Sequence, residues 1–138
     1  MKTLIASLAA LALVPTAAQA ATLDLEITNV EASTGSVMIA VFSSADEWTS
    51  NTTIAAARID AAEGTVRAVF EDLPEGTYGV KIFHDVDGNG DLKRGKFGIP
   101  AEPYAFSNDA PVRFGPPSWK SAAFDVSGDA TTHTVALR

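Results

Sequence analysis

Gly64-Thr65-Val66-Arg67-Ala68-Val69-Phe70, followed by Leu73-Pro74-Glu75-Gly76 and Thr77-Tyr78-Gly79-Val80-Lys81-Ile82, decides the fold. Val66, Ala68 and Phe70 share one face against Thr65 and Arg67, and a period of two is the mark of a half-buried strand. Leu73 to Gly76 is a turn, because proline presets φ and glycine accepts a positive one. Beyond it the period resumes with Tyr78, Val80 and Ile82 inward.

The same pattern extends both ways. Leu23, Leu25 and Ile27 alternate with Asp24, Glu26 and Thr28. Gly35 closes a turn before Ser36–Phe42, whose nearly continuous apolar run suits a central strand covered on both faces. Ser44 with Glu47 three residues later resembles a capping box, which predicts a short helical turn through Trp48. The alanine-rich stretch Ile54–Ala61 fits either a helical turn or a strand, and periodicity does not decide between them. Towards the C-terminus, Ala123–Val126 and Thr132–Leu137 read as two strands joined across Ser127-Gly128-Asp129. Short strands at regular spacing with turn signals predict an all-β chain, a single antiparallel β-sandwich of six or seven strands. Its core should hold Val37, Ile39, Val41, Val66, Phe70, Tyr78, Val80 and Ile82.

Composition sets limits on partners and compartment. Lys2, the apolar run Leu4–Val14 and the small-x-small site Ala18-Gln19-Ala20 form a secretory signal peptide over residues 1–20, which leaves 21–138 as the sandwich domain. The expected location is the periplasm or the exterior, with no transmembrane segment after cleavage. The mature chain would have 118 residues (138 less 20), enough for one domain, and there is no cysteine to staple it. A formal net charge of −7, or −8 once Lys2 is removed, disfavours nucleic acid and anionic membrane as partners.

Two features outside the strands bear on function. The first is Asp85-Val86-Asp87-Gly88-Asn89-Gly90-Asp91, which puts Asp85, Asp87, Asn89 and Asp91 at alternate positions around Gly90. Ca²⁺ takes six to eight oxygens, and a tight turn converges several of them from consecutive residues. In a twelve-residue calcium loop the closing position would fall on Lys96, and no helices flank the turn, so this is not an EF-hand. A strand-to-loop calcium site would take its missing oxygen from Glu102 or Asp72. Against it stands a plain solvated turn, since Asp, Asn and Gly form turns without any metal.

The second feature is the segment from Lys93 to Lys120, too long for an idle connection. Phe97, Ile99, Tyr104, Phe106, Phe114 and Trp119 argue that it is ordered, and prolines at 100, 103, 111, 116 and 117 stiffen it. It also holds five of the nine mature basic residues: Lys93, Arg94, Lys96, Arg113 and Lys120. Tyr104, Phe106, Arg113 and Trp119 are therefore candidates for a surface that binds an anionic or glycan ligand. The alternative is that the aromatics cap one open end of the sandwich. His84 and His133 each fall at the end of a strand in phase with its inward face, and read as core-edge histidines. With no cysteine and no Gly-x-Ser-x-Gly, no catalytic constellation is complete.

The runs Phe83-His84-Asp85-x-Asp87-Gly88-Asn89-Gly90, Gly98-Ile99-Pro100-x-Glu102, Phe106-Ser107-Asn108, Phe114-Gly115-Pro116-Pro117 and Ala122-Ala123-Phe124 resemble an uncharacterised bacterial family catalogued as domain of unknown function 2141. Leu73-Pro74-x-Gly76-Thr77-Tyr78 is similar to the strand–turn–strand of transthyretin-like and carboxypeptidase-regulatory-like sandwiches. The chain departs mildly at Pro103 and Ala105, where similar proteins tend to carry glycine. The resemblance implies an exported sandwich of immunoglobulin-like or transthyretin-like appearance, and no activity. The combined expectation is a binding or envelope-interaction module rather than an enzyme, with Ca²⁺ as its one candidate cofactor. Its partner would be a protein, a glycan or a small molecule. The alternatives are a metal-assisted hydrolase using His84 and the Asp cluster, and a purely structural envelope protein.

Overall fold

The computed structural model describes residue 15 and residues 17–138, so most of the expected signal peptide lies outside the described residues. Two sheets face each other. In the first, β1 (Ala20–Val30) lies between β4 (Gly64–Pro74) and β8 (Ala130–Ala136). In the second, the order is β3 (Ala55–Asp60), β2 (Ser36–Phe42), β5 (Gly76–Asp85) and β6 (Tyr104–Phe106), and β7 (Phe124–Val126) pairs with the first residues of β5. The ambiguous alanine-rich stretch is thus an edge strand. Every pairing is antiparallel except that of β1 with β8, which is parallel and joins the first and last strands. Among the described residues the strand count is eight against an expected six or seven. The addition is β6, whose three residues are too few to show a period.

Period-two patterning places the core where the sequence puts it. Leu23, Leu25 and Ile27 from one sheet meet Val37, Ile39, Val41, Val80 and Ile82 from the other, and all eight predicted core residues are buried in this cluster. Full burial of a large aliphatic or aromatic side chain is worth about 1.5–3 kcal/mol, so this cluster carries the stability of a chain without disulfides. Gly35 turns the chain into β2 at φ +73, where a Cβ would lie 1.9 Å from the Asp85 carbonyl oxygen. Glycine is required there both by the dihedral and by space.

The outer face of the second sheet is also covered. Phe42, Trp48, Ala110 and Ala122 are buried there, with Ala40, Phe106 and Trp119 packed around them. Trp48 arrives on α1 (Ala45–Ser50), which begins as the capping box predicts: the Ser44 hydroxyl accepts from the Glu47 amide at 3.2 Å. The Glu47 carboxylate reaches one residue further back, accepting from the Ser43 amide and hydroxyl at 2.8 Å each. Those bonds hold its pKa below the usual carboxylate value.

The long segment is structured, but it does not cap an end of the sandwich. An isolated bridge joins Arg94 to Pro100, β6 runs back along β5, and a 3-10 turn at Ser107–Asp109 leads over the outer face to α2 (Trp119–Ala122). Phe106 and Trp119 end half-buried on that face. Phe97, Ile99 and Phe114 are solvated outright, at 97%, 62% and 107% exposure. Phe97 sits at φ 62 on the tip of its turn, a left-handed conformation that is rare for a bulky residue and carries the ring away from the body.

Candidate metal site and ligand surface

The acidic turn leaves β5 at Asp85, whose carboxylate is fully buried. Its two oxygens accept from the Asn89 amide at 3.1 Å and the Gly90 amide at 2.9 Å. Glycines at φ +73 (Gly88) and +85 (Gly90) allow the chain to curl back on that carboxylate. Glu102, 6% exposed, closes the base of the loop. One of its oxygens accepts from the Val86 amide and the other from the Lys93 amide, both at 2.9 Å. The paired carbonyl bonds Ala101 to Lys93 and His84 to Pro103, each 2.8 Å from the amide, fasten the same base.

Asp85, Asp87 and Glu102 each offer a carboxylate oxygen, and these oxygens lie within 4.8 Å of one another. Two of the three expected carboxylate ligands, Asp85 and Asp87, therefore come together, with Glu102 as the third carboxylate. Asp91 does not join them. The Asn89 amide oxygen accepts from the Asp91 amide at 2.8 Å, and the Asp91 carboxylate is outside the group. Asp72, the other candidate for the missing oxygen, is also outside it. Lys93 approaches Asp87 at 3.9 Å in an exposed pair, which gives partial local neutralisation. Each carboxylate oxygen carries two lone pairs, so accepting one amide leaves capacity for a hard cation.

His84 stands apart from this cluster. Successive strand residues point to opposite faces, and its imidazole enters the core, where Nε2 lies 2.7 Å from the Thr34 carbonyl oxygen. A carbonyl accepts only, so Nε2 carries the proton. Nδ1 is buried without a hydrogen-bond partner. The pairing of His84 with the Asp cluster that a hydrolase would need is not assembled. His133 lies half-buried, stacked on Phe124 at 3.8 Å between ring centres, and its Nε2 accepts from the Asn108 amide at 3.2 Å. Burial lowers its pKa, and the nearby Asp109 charge opposes that shift.

The expected ligand residues divide between two places. Tyr104 and Phe106 pack edge to face at 6.1 Å on the outer face of β6. Trp119 meets Trp48 at 6.0 Å, and both indoles lie directly over Gly79, where a Cβ would come within 2.8 Å of one and 3.0 Å of the other. Arg113 is exposed in a hollow of about 350 Å³ beside Phe114. Sequence reasoning missed Trp48, Gly79 and Lys81 as parts of this surface. The available signal was the alternation of Gly79 and Lys81 with the inward Tyr78, Val80 and Ile82.

Geometry thus defines an eight-stranded sandwich with a carboxylate-clamped turn and an aromatic outer face. Residues 25–134 match the family described as "Uncharacterized protein conserved in bacteria (DUF2141)", and the chain belongs to it. No curated protein and no solved structure matches the chain.

Proposed function

We propose that this chain is an exported binding module whose long loop is stapled to the sandwich by one Ca²⁺. The observation that carries the reading is the convergence of Asp85, Asp87 and Glu102 oxygens within 4.8 Å, two of the three side chains being buried. Buried carboxylates at such separations repel unless cations or directed hydrogen bonds offset them. Backbone amides satisfy part of that need, and a hard cation with water completes it. The ion would tie the end of β5 to the bend leading into β6, so the aromatic face that follows is held at a fixed register. Export is supported by the leader pattern of residues 1–20, and among the described residues no helix is long and apolar enough to cross a membrane.

Calorimetric titration of chelator-treated protein with Ca²⁺ tests the staple. A single binding event is expected. At a hundred times the dissociation constant, mass action adds about 2.7 kcal/mol and raises the melting temperature on the order of 5–10 °C. Asp87→Ala should abolish the gain and leave the metal-free protein no less stable, because it also relieves repulsion. Identical melting curves in Ca²⁺ and in chelator would reject the staple and leave an amide-clamped turn.

A further inference from the structure

On the outer face of the second sheet, Trp48, Thr49, Lys81 and the run Pro116–Trp119 enclose a hollow of about 380 Å³. That volume lies in the range of small-ligand sites, ~300–1,000 Å³. Its construction is specific. Gly79 is bare so that both indoles can close over β5, and the Trp48 Nε1–H donates to the Pro117 carbonyl at 2.9 Å, fixing the proline run against α1. Trp48, 5% exposed, forms the floor, while the half-buried Trp119 and the exposed Pro116 form an apolar wall.

The cation in this hollow has no counter-charge among the described residues. Lys81 Nζ donates to the Trp48 carbonyl at 2.8 Å and to Asn51 Oδ1 at 3.0 Å, and lies 4.6 Å from the centres of both the Phe42 and Trp48 rings. An ammonium has three donors, so one remains. Among the described residues no carboxylate lies within 4.0 Å of it. Desolvation lowers its pKa below the usual lysine value, as expected of a charge held without a partner. The Arg113 hollow adjoins this one, sharing Pro116, Pro117 and Ser118. No Asp or Glu lines either hollow, on a chain whose net charge is −7.

The geometry points to a binding site for an acidic oligosaccharide across these two hollows. The inference rests on the binding-module reading above but is independent of Ca²⁺. A sugar ring offers an apolar C–H face to Trp119 and Pro116, and hydroxyls to the rim at Thr49 and Ser118. A ring carboxylate takes the open Lys81 donor in a charge-assisted bond, and the next ring's carboxylate takes Arg113. Two adjoining hollows with one cation each suit a ligand whose charge repeats.

Both tryptophans of the chain stand at this site, so intrinsic fluorescence reads it directly. Native protein is titrated with trigalacturonate, its methyl ester and an acidic peptide, tetraglutamate. Saturable change with trigalacturonate, weakened by added salt and roughly tenfold to a hundredfold weaker in Lys81→Met, is the expected result. Arg113→Gln, an exposed substitution that leaves the fold intact, should weaken binding several-fold and keeps the test open if Lys81→Met does not fold. Equal binding of the methyl ester, or of tetraglutamate, overturns the acidic-glycan assignment while leaving a binding module. Silence with all three probes overturns the site itself.

Discussion

Glu102→Gln tests the clamp at the base of the acidic turn. The substitution keeps shape and removes charge. In the native protein the two carboxylate oxygens accept from the Val86 and Lys93 amides, both at 2.9 Å, in a position only 6% exposed. A glutamine offers one acceptor and one NH₂, so one amide keeps a neutral bond and the other faces a donor. Hydrogen bonds to charged groups contribute about 1.5–3 kcal/mol, against about 0.5–1.5 for neutral ones. Losing one bond and weakening the other sums to about 2–4 kcal/mol. With about 2.1 cal/mol/K of unfolding entropy per residue over the 118 residues expected in the sandwich domain (138 less 20), each kcal/mol moves the melting temperature by about 4 °C. A fall of about 8–16 °C is expected in chelator.

The proposed calcium staple offers a second readout from the same variant. Glu102 is one of the three converging carboxylates, so Glu102→Gln should also lose most of the Ca²⁺-dependent gain, which makes its deficit larger in Ca²⁺ than in chelator. Thermal melts under both conditions, with hydrogen exchange at Val86, Asn89, Gly90 and Lys93, complete the assay. A melting temperature within 2 °C of native in both buffers, with those amides still protected, would refute the clamp. An equal deficit in both buffers would keep the clamp and refute the ion.

Gly35→Ala should cost more than about 2 kcal/mol, because left-handed strain of about 1–3 kcal/mol adds to a Cβ placed 1.9 Å from the Asp85 carbonyl oxygen; denaturant melts check it. Gly79→Ala should disturb the tryptophan near-ultraviolet circular dichroism while leaving the far-ultraviolet β signal in place, because its Cβ meets Trp119 at 2.8 Å and Trp48 at 3.0 Å. The folded His133 pKa lies below its unfolded value of 6.5, so its contribution to stability is full above pH 6.5 and is lost as the pH falls through the folded pKa. His133→Phe should therefore flatten the decline in stability on that acid side, and equal slopes for variant and native protein would discount the residue.

Strand placement was legible because burial on one face of a sheet leaves a period of two, and Val66, Ala68 and Phe70 or Leu23, Leu25 and Ile27 show it without interruption. The parallel partnership of β1 and β8 was not, since nothing local to either strand encodes which distant edge it meets. The acidic turn was legible as a turn. Its third carboxylate, Glu102, was one of two candidates, and only the crossing of the loop base at Val86 and Lys93 selects it over Asp72. Counting aromatics between Phe97 and Trp119 established order but misjudged destination. Phe97 is solvated because its backbone turns outward at a tip, while Phe106 is held half-buried on the outer face by the pairing of its strand with Lys81.

The placement of the two candidate sites separates their roles. Gly79 lies beneath the indoles and Asp85 heads the acidic turn, six residues along the same strand and thus about 20 Å apart. An ion at the turn cannot touch a ligand in the hollow. It would act by fixing where the chain re-enters as β6, whose Phe106 pairs with Lys81 and packs on Trp48 at 5.9 Å. Calcium would then raise affinity in the hollow only by narrowing the positions open to β6, a coupling through backbone register. Ligand affinity measured with and without Ca²⁺ should change together with exchange protection at Tyr104–Phe106. Should affinity change while that protection stays constant, register is not the carrier, and the ion and the hollow must communicate through the core face of β5 instead.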